Sequence, residues 1–187
     1  MSNIKDIIKN LISADNMLNM SSSEIINEIA SNQYNGKNGH LKDPIVFTKL
    51  PIVLQDILLL ADFDTELNMN GILGFLENST GLYLNETIEA LGRIDAIEDR
   101  KIMDDIRSIM MAYGCSPINL RENVNKGYEY EITNFISTHG EEYEEMADKI
   151  EKESKRLYYR CPNRNIFDNL EVYVDQHKEE LLSSILG

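Results

Sequence analysis

The sequence predicts an all-α, single-domain bundle of about eight or nine helices. Three observations point there. Apolar residues return at three- and four-residue spacing through most of the chain. The one stretch with strand-like alternation, residues 128–136, has no hairpin partner, so a helix is the better reading of it. A length of 187 residues with 42% apolar content suits one buried core.

Taken in order, Ile4, Ile7, Ile8, Leu11 and Ile12 form one face of a first helix. Ile25, Ile26 and Ile29 form the inner face of a second, opened by Ser21 and Glu24 at capping-box spacing. Residues 34–43, YNGKNGHLKD, hold two glycines and almost no apolar residue, which marks a loop. Residues 1–43 thus read as a helical extension packed on the main body, residues 44–187, with a disordered or swapped arm as the alternative. From Leu50, PIVLQDILLLADF reads as the most buried helix, with Pro51 in its first turn, where the missing amide donor does no harm.

Residues 66–96 read as a helical hairpin. Leu67, Ile72, Phe75 and Leu76 stripe one arm, and Leu84, Ile88, Leu91 and Ile94 stripe the other. Asn78, Ser79, Thr80 and Gly81 make the turn, with Thr80 or Asn85 placed to cap the second arm and Glu66 expected to accept backbone amides before Ile72. Ile102, Ile106, Ile109, Met110 and Tyr113 make the inward stripe of the next helix, with Asp99, Asp104 and Asp105 facing out. Gly114 closes that helix and Pro117 forbids its continuation. Residues 128–138 and 141–159 read as two helices broken at His139 and Gly140. Residues 167–186 read as the last helix, with Leu170, Val174, Leu181 and Ile185 on one side.

The hairpin also carries a family likeness. Glu66, Gly71, Phe75 and Asn78, followed by Ser79, Gly81, Glu86, Thr87, Glu89, Ala90, Leu91 and Ala96, resemble the signature of the DNA mimic protein nineteen family. Near the end, LEVYVDQHKEEL, with Tyr173 and His177, resembles that family's closing helix, so the resemblance covers roughly residues 50–181. In place of the family's Asn-Gly-Gly-Phe turn this chain has Met69, Asn70, Gly71 and Ile72. The resemblance implies a non-enzymatic protein that binds the nucleic-acid-contacting surface of a basic, DNA-binding partner.

Charge agrees with that expectation. Eighteen Lys and Arg against 32 Asp and Glu give a net charge of −14, a field that repels nucleic acid and anionic membranes and attracts basic surfaces. Solubility alone is the simpler explanation of such acidity. Glu141, Glu142, Glu144, Glu145, Asp148, Glu151 and Glu153 share one predicted helix, and Asp95, Glu98, Asp99, Asp104 and Asp105 flank another. Helix residues four apart are separated by ~6 Å along the axis, comparable to consecutive phosphates of one DNA strand. Carboxylates so spaced suit lysine and arginine sites that hold phosphate. Lys149, Lys152, Lys155 and Arg156 on the same helix dilute the effect through intrahelical pairs.

Chemistry is harder to find. The three histidines, His40, His139 and His177, lack nucleophile-and-base spacing, and no phosphate loop, GxSxG elbow or HExxH motif occurs. The run DFDTELNMNG fails as a calcium loop, with Leu67 and Leu73 where a glycine and a bidentate acid belong. No catalytic residue, cofactor or metal is therefore expected. Cys115 and Cys161 read as reduced structural thiols. The N-terminus lacks a signal-peptide core, and the apolar run at residues 52–61 is broken by Gln55 and Asp56, so a cytoplasmic location is expected.

Two other functions remain open. One is an immunity-like or other interaction module that recognises a specific protein through shape and apolar contact, its acidity serving solubility and on-rate. The other is a metal protein or enzyme using His177 with Glu66 or another carboxylate. Met17, Leu18 and Met20 offer an apolar patch for a homodimer, with packing of the N-terminal arm as the alternative.

Overall fold

In a computed structural model of the chain, residues 4–38, 41–127 and 134–186 are described. Among them lie eleven α-helices and no strand, so the all-α class holds. His40 and residues 128–133, the larger part of the segment read as helix rather than strand, lie outside the described residues. The chain divides into two compact units, Met1–Ala61 with Phe167–Gly187, and Asp62–Ile166.

The first unit holds α1 (Ile4–Leu11), α2 (Ala14–Asn19), α3 (Ser22–Asn32), α4 (Pro44–Phe47), the opening turns of α5 (Ile52–Glu77) and nearly all of α11 (Ile166–Leu186). The predicted apolar faces are buried: Ile7, Ile8, Leu11 and Ile12 at the start, Ile25, Ile26 and Ile29 in α3, and Leu170, Val174, Leu181 and Ile185 in α11. Ser21 and Glu24 form the predicted capping box. The amide of Asn32 donates to the Leu11 carbonyl at 2.8 Å, the Ser22 hydroxyl donates to Asp175, and Lys178 Nζ donates to the Met20 carbonyl at 2.6 Å. These bonds tie α3 to α1 and, through its first residue and the turn before it, to α11. Helices α2 and α4 carry no readable period at six and four residues, and their caps, Ser13 and Asp43, were the only signals in sequence. Met17 of α2 is fully buried while Leu18 is 61% exposed, so the apolar patch is split between core and surface.

Helix α5 is the most continuously buried stretch described, with every residue from Val53 to Phe63 buried except Gln55. Sequence reading separated this helix from the first arm of the hairpin. They are one helical run, bent at Gly71, whose φ of 69° and ψ of −173° fall in a region essentially reserved for glycine. Along a straight helix Glu66 and Asn78 would stand ~18 Å apart. After the bend, Asn78 Nδ2 donates to Glu66 Oε2 at 2.8 Å, and Asn70 Nδ2 donates to the same oxygen at 2.8 Å. Glu66 therefore accepts side-chain amides, not the backbone amides expected. On the inner side of the bend, Phe75 meets Phe63 edge-on at 5.0 Å.

The rest of the second unit is α6 (Leu84–Arg93), α7 (Ile97–Ala112), α8 (Pro117–Lys126), α9 (Phe135–His139) and α10 (Glu144–Ser154). The turn into α6 passes so close to α5 that a Cβ on Gly81 would stand 2.5 Å from the Leu76 carbonyl oxygen. Neither Thr80 nor Asn85 caps α6: Thr80 Oγ1 donates to the Phe75 carbonyl at 3.3 Å, and Asn85 accepts from Arg107 at 2.8 Å. Helix α6 ends with Asp95 at φ 60°, the Asp95 amide on the Gly92 carbonyl and the Ala96 amide on that of Leu91. That is a Schellman close with an aspartate where glycine is usual. Helix α7 closes the same way through Gly114, as the sequence predicts, and Pro117 then opens α8 behind a Ser116–Asn119 capping box.

Because a Cβ at Gly71 meets nothing within 4 Å, a substitution there tests backbone strain alone. Gly71→Ala is expected to lower the unfolding free energy by about 1–3 kcal/mol in urea denaturation, from the left-handed backbone alone.

Candidate functional site: an acidic cleft

Three pieces of the second unit surround a cleft of about 890 Å³: the arm of α5 beyond the bend, α9 with the residue before it, and the start of α10. Glu77, Glu141, Glu144, Asp148 and Glu151 line it, and no Lys, Arg or His among the described residues does. Asn70, Asn78 and Asn134 add amides, while Leu73, Phe135, Ile136 and Ala147 supply an apolar floor.

The acidic wall follows from helix geometry. At ~100° per residue, Glu144, Asp148 and Glu151 fall within ~60° of one another on α10, Lys149 and Lys152 lie ~80–140° round from Glu144, and Lys155, the residue that follows the helix, continues the acidic edge at ~20°. Two of the bases near that flank are engaged. Lys149 pairs with Glu145 at 2.9 Å and donates to the Tyr113 hydroxyl at 2.9 Å, and Arg156 pairs with Glu153. The hydrogen bond from Lys149 holds the Glu145 carboxyl below its usual range. Met146, Ala147 and Ile150 are buried, so the helix separates a core face, a neutralised flank and an acidic edge.

Of the ten acidic residues expected to form a partner-binding face, the cleft gathers Glu141, Glu144 and Asp148 and adds Glu77 and Glu151. Glu142 and Glu145 are exposed but do not line it. Asp95 occupies the Schellman close, Glu98 pairs with Arg164 at 2.6 Å, Asp104 pairs with Arg107 at 2.6 Å, and Asp105 is half-buried. Asp99 was expected to face out and is instead 3% exposed. Its Oδ1 accepts the Tyr158 amide at 2.7 Å and stands 3.5 Å from Arg164, and the Tyr158 hydroxyl donates to Asp64 at 2.7 Å. Asp99 thus fastens the chain after α10 to the first turn of α7. Glu77 gave no signal in sequence, since only the bend at Gly71 aims its arm at α10.

Two histidines can be placed. His177 Nδ1 donates to the Tyr173 carbonyl one turn back at 2.8 Å, and its ring lies 4.3 Å from that of Tyr173, so both serve α11 locally. The His139 side chain is wholly buried behind the cleft, its Nε2 2.9 Å from Glu77 Oε1 and its Nδ1 3.4 Å from the Asn123 amide nitrogen. Cys115 and Cys161 are unpaired thiols, and burial pushes that of Cys115 up. Among the described residues no group of three or more His, Cys, Asp or Glu is arranged to hold a metal ion, and no helix is long and apolar enough to cross a membrane.

Burial pushes the Asp99 carboxyl above its usual 3.8, against the Tyr158 amide and Arg164, which pull it down. Its ionisation costs more in the folded than the unfolded chain, so its contribution to stability falls as pH rises from 3.8 through the raised folded value. Asp99→Asn keeps an oxygen for the Tyr158 amide and is expected to gain stability relative to wild type as pH rises through that window. Asp99→Ala strands the amide and should lose about 1–3 kcal/mol, both read by urea denaturation at several pH values.

No curated protein and no solved structure matches this chain. A family model described as DMP19-like protein matches residues 48–177, well over half of the length, and the span takes in the bend, the cleft and Tyr173 with His177. The chain belongs to the DMP19-like family.

Proposed function

We propose that the protein acts by binding, without chemistry of its own, and that its cleft takes lysine and arginine side chains from the nucleic-acid-contacting surface of a basic, DNA-binding partner. The observation that carries this reading is the lining of the cleft: Glu144, Asp148 and Glu151 of α10 face it with Glu77 and Glu141, no Lys or Arg among the described residues lines it, and Lys149 and Arg156 are paired elsewhere. The successive carboxylates on that edge are ~4.5–6 Å apart along the axis, which matches a row of cations that otherwise holds phosphates. Leu73, Phe135 and Ile136 offer surface for aliphatic stems and a ring face for guanidinium. Family membership and a net charge of −14 support the same reading.

Exposed Met111 and Ile118, at 71% and 59%, flank the turn between α7 and α8 and favour a second reading, recognition of one particular protein by apolar contact. Salt separates the two.

The triple variant Glu144→Gln, Asp148→Asn, Glu151→Gln is expected to weaken binding to an arginine-rich, DNA-binding protein at least tenfold and to flatten the dependence of log Kd on log salt. Fluorescence competition, in which the wild-type protein displaces labelled DNA from that partner and the variant does not, checks it. Displacement by both proteins alike, or binding indifferent to salt, contradicts the reading.

A further inference from the structure

Among the described residues, Glu77 is the one cleft carboxylate bonded to a buried titratable group. His139 stands behind it with no side-chain exposure, and each of its ring nitrogens has one polar partner. Nε2–H donates to Glu77 Oε1 at 2.9 Å, while Nδ1 accepts from the Asn123 amide at 3.4 Å. Asn123 in turn accepts from Lys126 Nζ through Oδ1 at 3.3 Å. The Phe135 ring, 4.5 Å away, covers His139 within α9.

From this arrangement, and resting on the cationic reading of the cleft, we propose that His139 is a proton-operated regulator of the site: gaining a proton neutralises Glu77 and weakens the hold on a basic ligand. A proton on Nδ1 meets the nitrogen of the Asn123 amide, donor against donor. Asn123 must turn over to offer Oδ1, which gives up Lys126. The imidazolium then forms a buried ion pair with Glu77, and one of the five carboxylates of the cleft is neutralised. Among the described residues, the other charges on the elements that pack against α9 or follow it are Arg121, Glu122 and Lys126 on α8, Glu141 and Glu142 in the turn after Gly140, and Glu144 at the start of α10. None of these is bonded to the imidazole by the contacts just described. Linkage makes the effect reciprocal: a cation seated beside Glu77 favours the neutral imidazole, so binding expels a proton.

The test uses the full chain and a fluorescein-labelled hexa-arginine peptide, followed by anisotropy across about pH 5.5–8, where imidazoles change charge. Wild type should bind about fivefold more weakly at the acid end, a modest coupling between sites. His139→Gln, which keeps a donor toward Glu77 and cannot titrate, should bind with a nearly flat pH profile. Glu77→Gln, which leaves His139 in place, should bind more weakly at every pH and also flatten the profile, so the result does not depend on one variant folding. In wild type, calorimetry in two buffers of different ionisation enthalpy should record proton release on binding within that pH range. Peptide binding with the same pH slope in all three proteins, or with no proton release, overturns the role of His139 and leaves the cleft as the cation site. No binding of the peptide at any pH overturns the cleft reading and this one with it.

Discussion

The second unit depends on one carboxylate reaching across a bend. Gly71 can take a backbone that other residues enter only with strain, and Glu66 holds Asn70 and Asn78 from one oxygen. The bend is thus specified twice, by the residue that permits it and by the acceptor that closes it. Breaking the acceptor would remove two hydrogen bonds, each worth about 0.5–1.5 kcal/mol, from the exposed Asn70 and the half-buried Asn78. What the bend delivers is Glu77, which continues the arm to the wall opposite α10 and there meets His139.

A second constraint is the division of charge around α10. An acidic protein that paired all its acids internally would have a field without a binding edge. Here Lys149 and Arg156 neutralise Glu145 and Glu153 on one flank, leaving Glu144, Asp148 and Glu151 together on another. The exposed pairs contribute little stability, because solvent and salt screen them. Their larger effect is spatial, because they hold Lys149 and Arg156 away from the cleft.

Much of the fold was legible where a period ran long enough. The faces of α1, α3 and α11, the capping box at Ser21, the turn at Gly81 and the stop at Gly114 all follow from spacing and from turn chemistry. The short helices α2 and α4 had too few residues to show a period, and α8 was hidden because Pro117 reads equally as a stop and as a first turn. The cleft was half legible. Glu144 and Asp148 stood out by their spacing on one helix, but Glu77 and Asn134 reach the site only through tertiary folding. Asp99 misled for the opposite reason, since its partners, Tyr158 and Arg164, are about sixty residues away in sequence and an acidic residue in a first helical turn looks exposed. The Glu66–Asn78 pair lay within the signature block, yet its contact is invisible until Gly71 is known to bend the chain.

The most direct test of the central claim, that one cleft and not the acidic surface at large receives a basic ligand, is to map binding residue by residue. Titrating isotope-labelled protein with an arginine-rich peptide and following amide shifts should perturb Asn134, Phe135, Ile136, the residues from Glu141 to Glu151, and the arm of α5 around Glu77. Asp95, Asp104 and Asp105 should stay still. Perturbations centred on those three, or spread evenly over all exposed acids, would contradict the account.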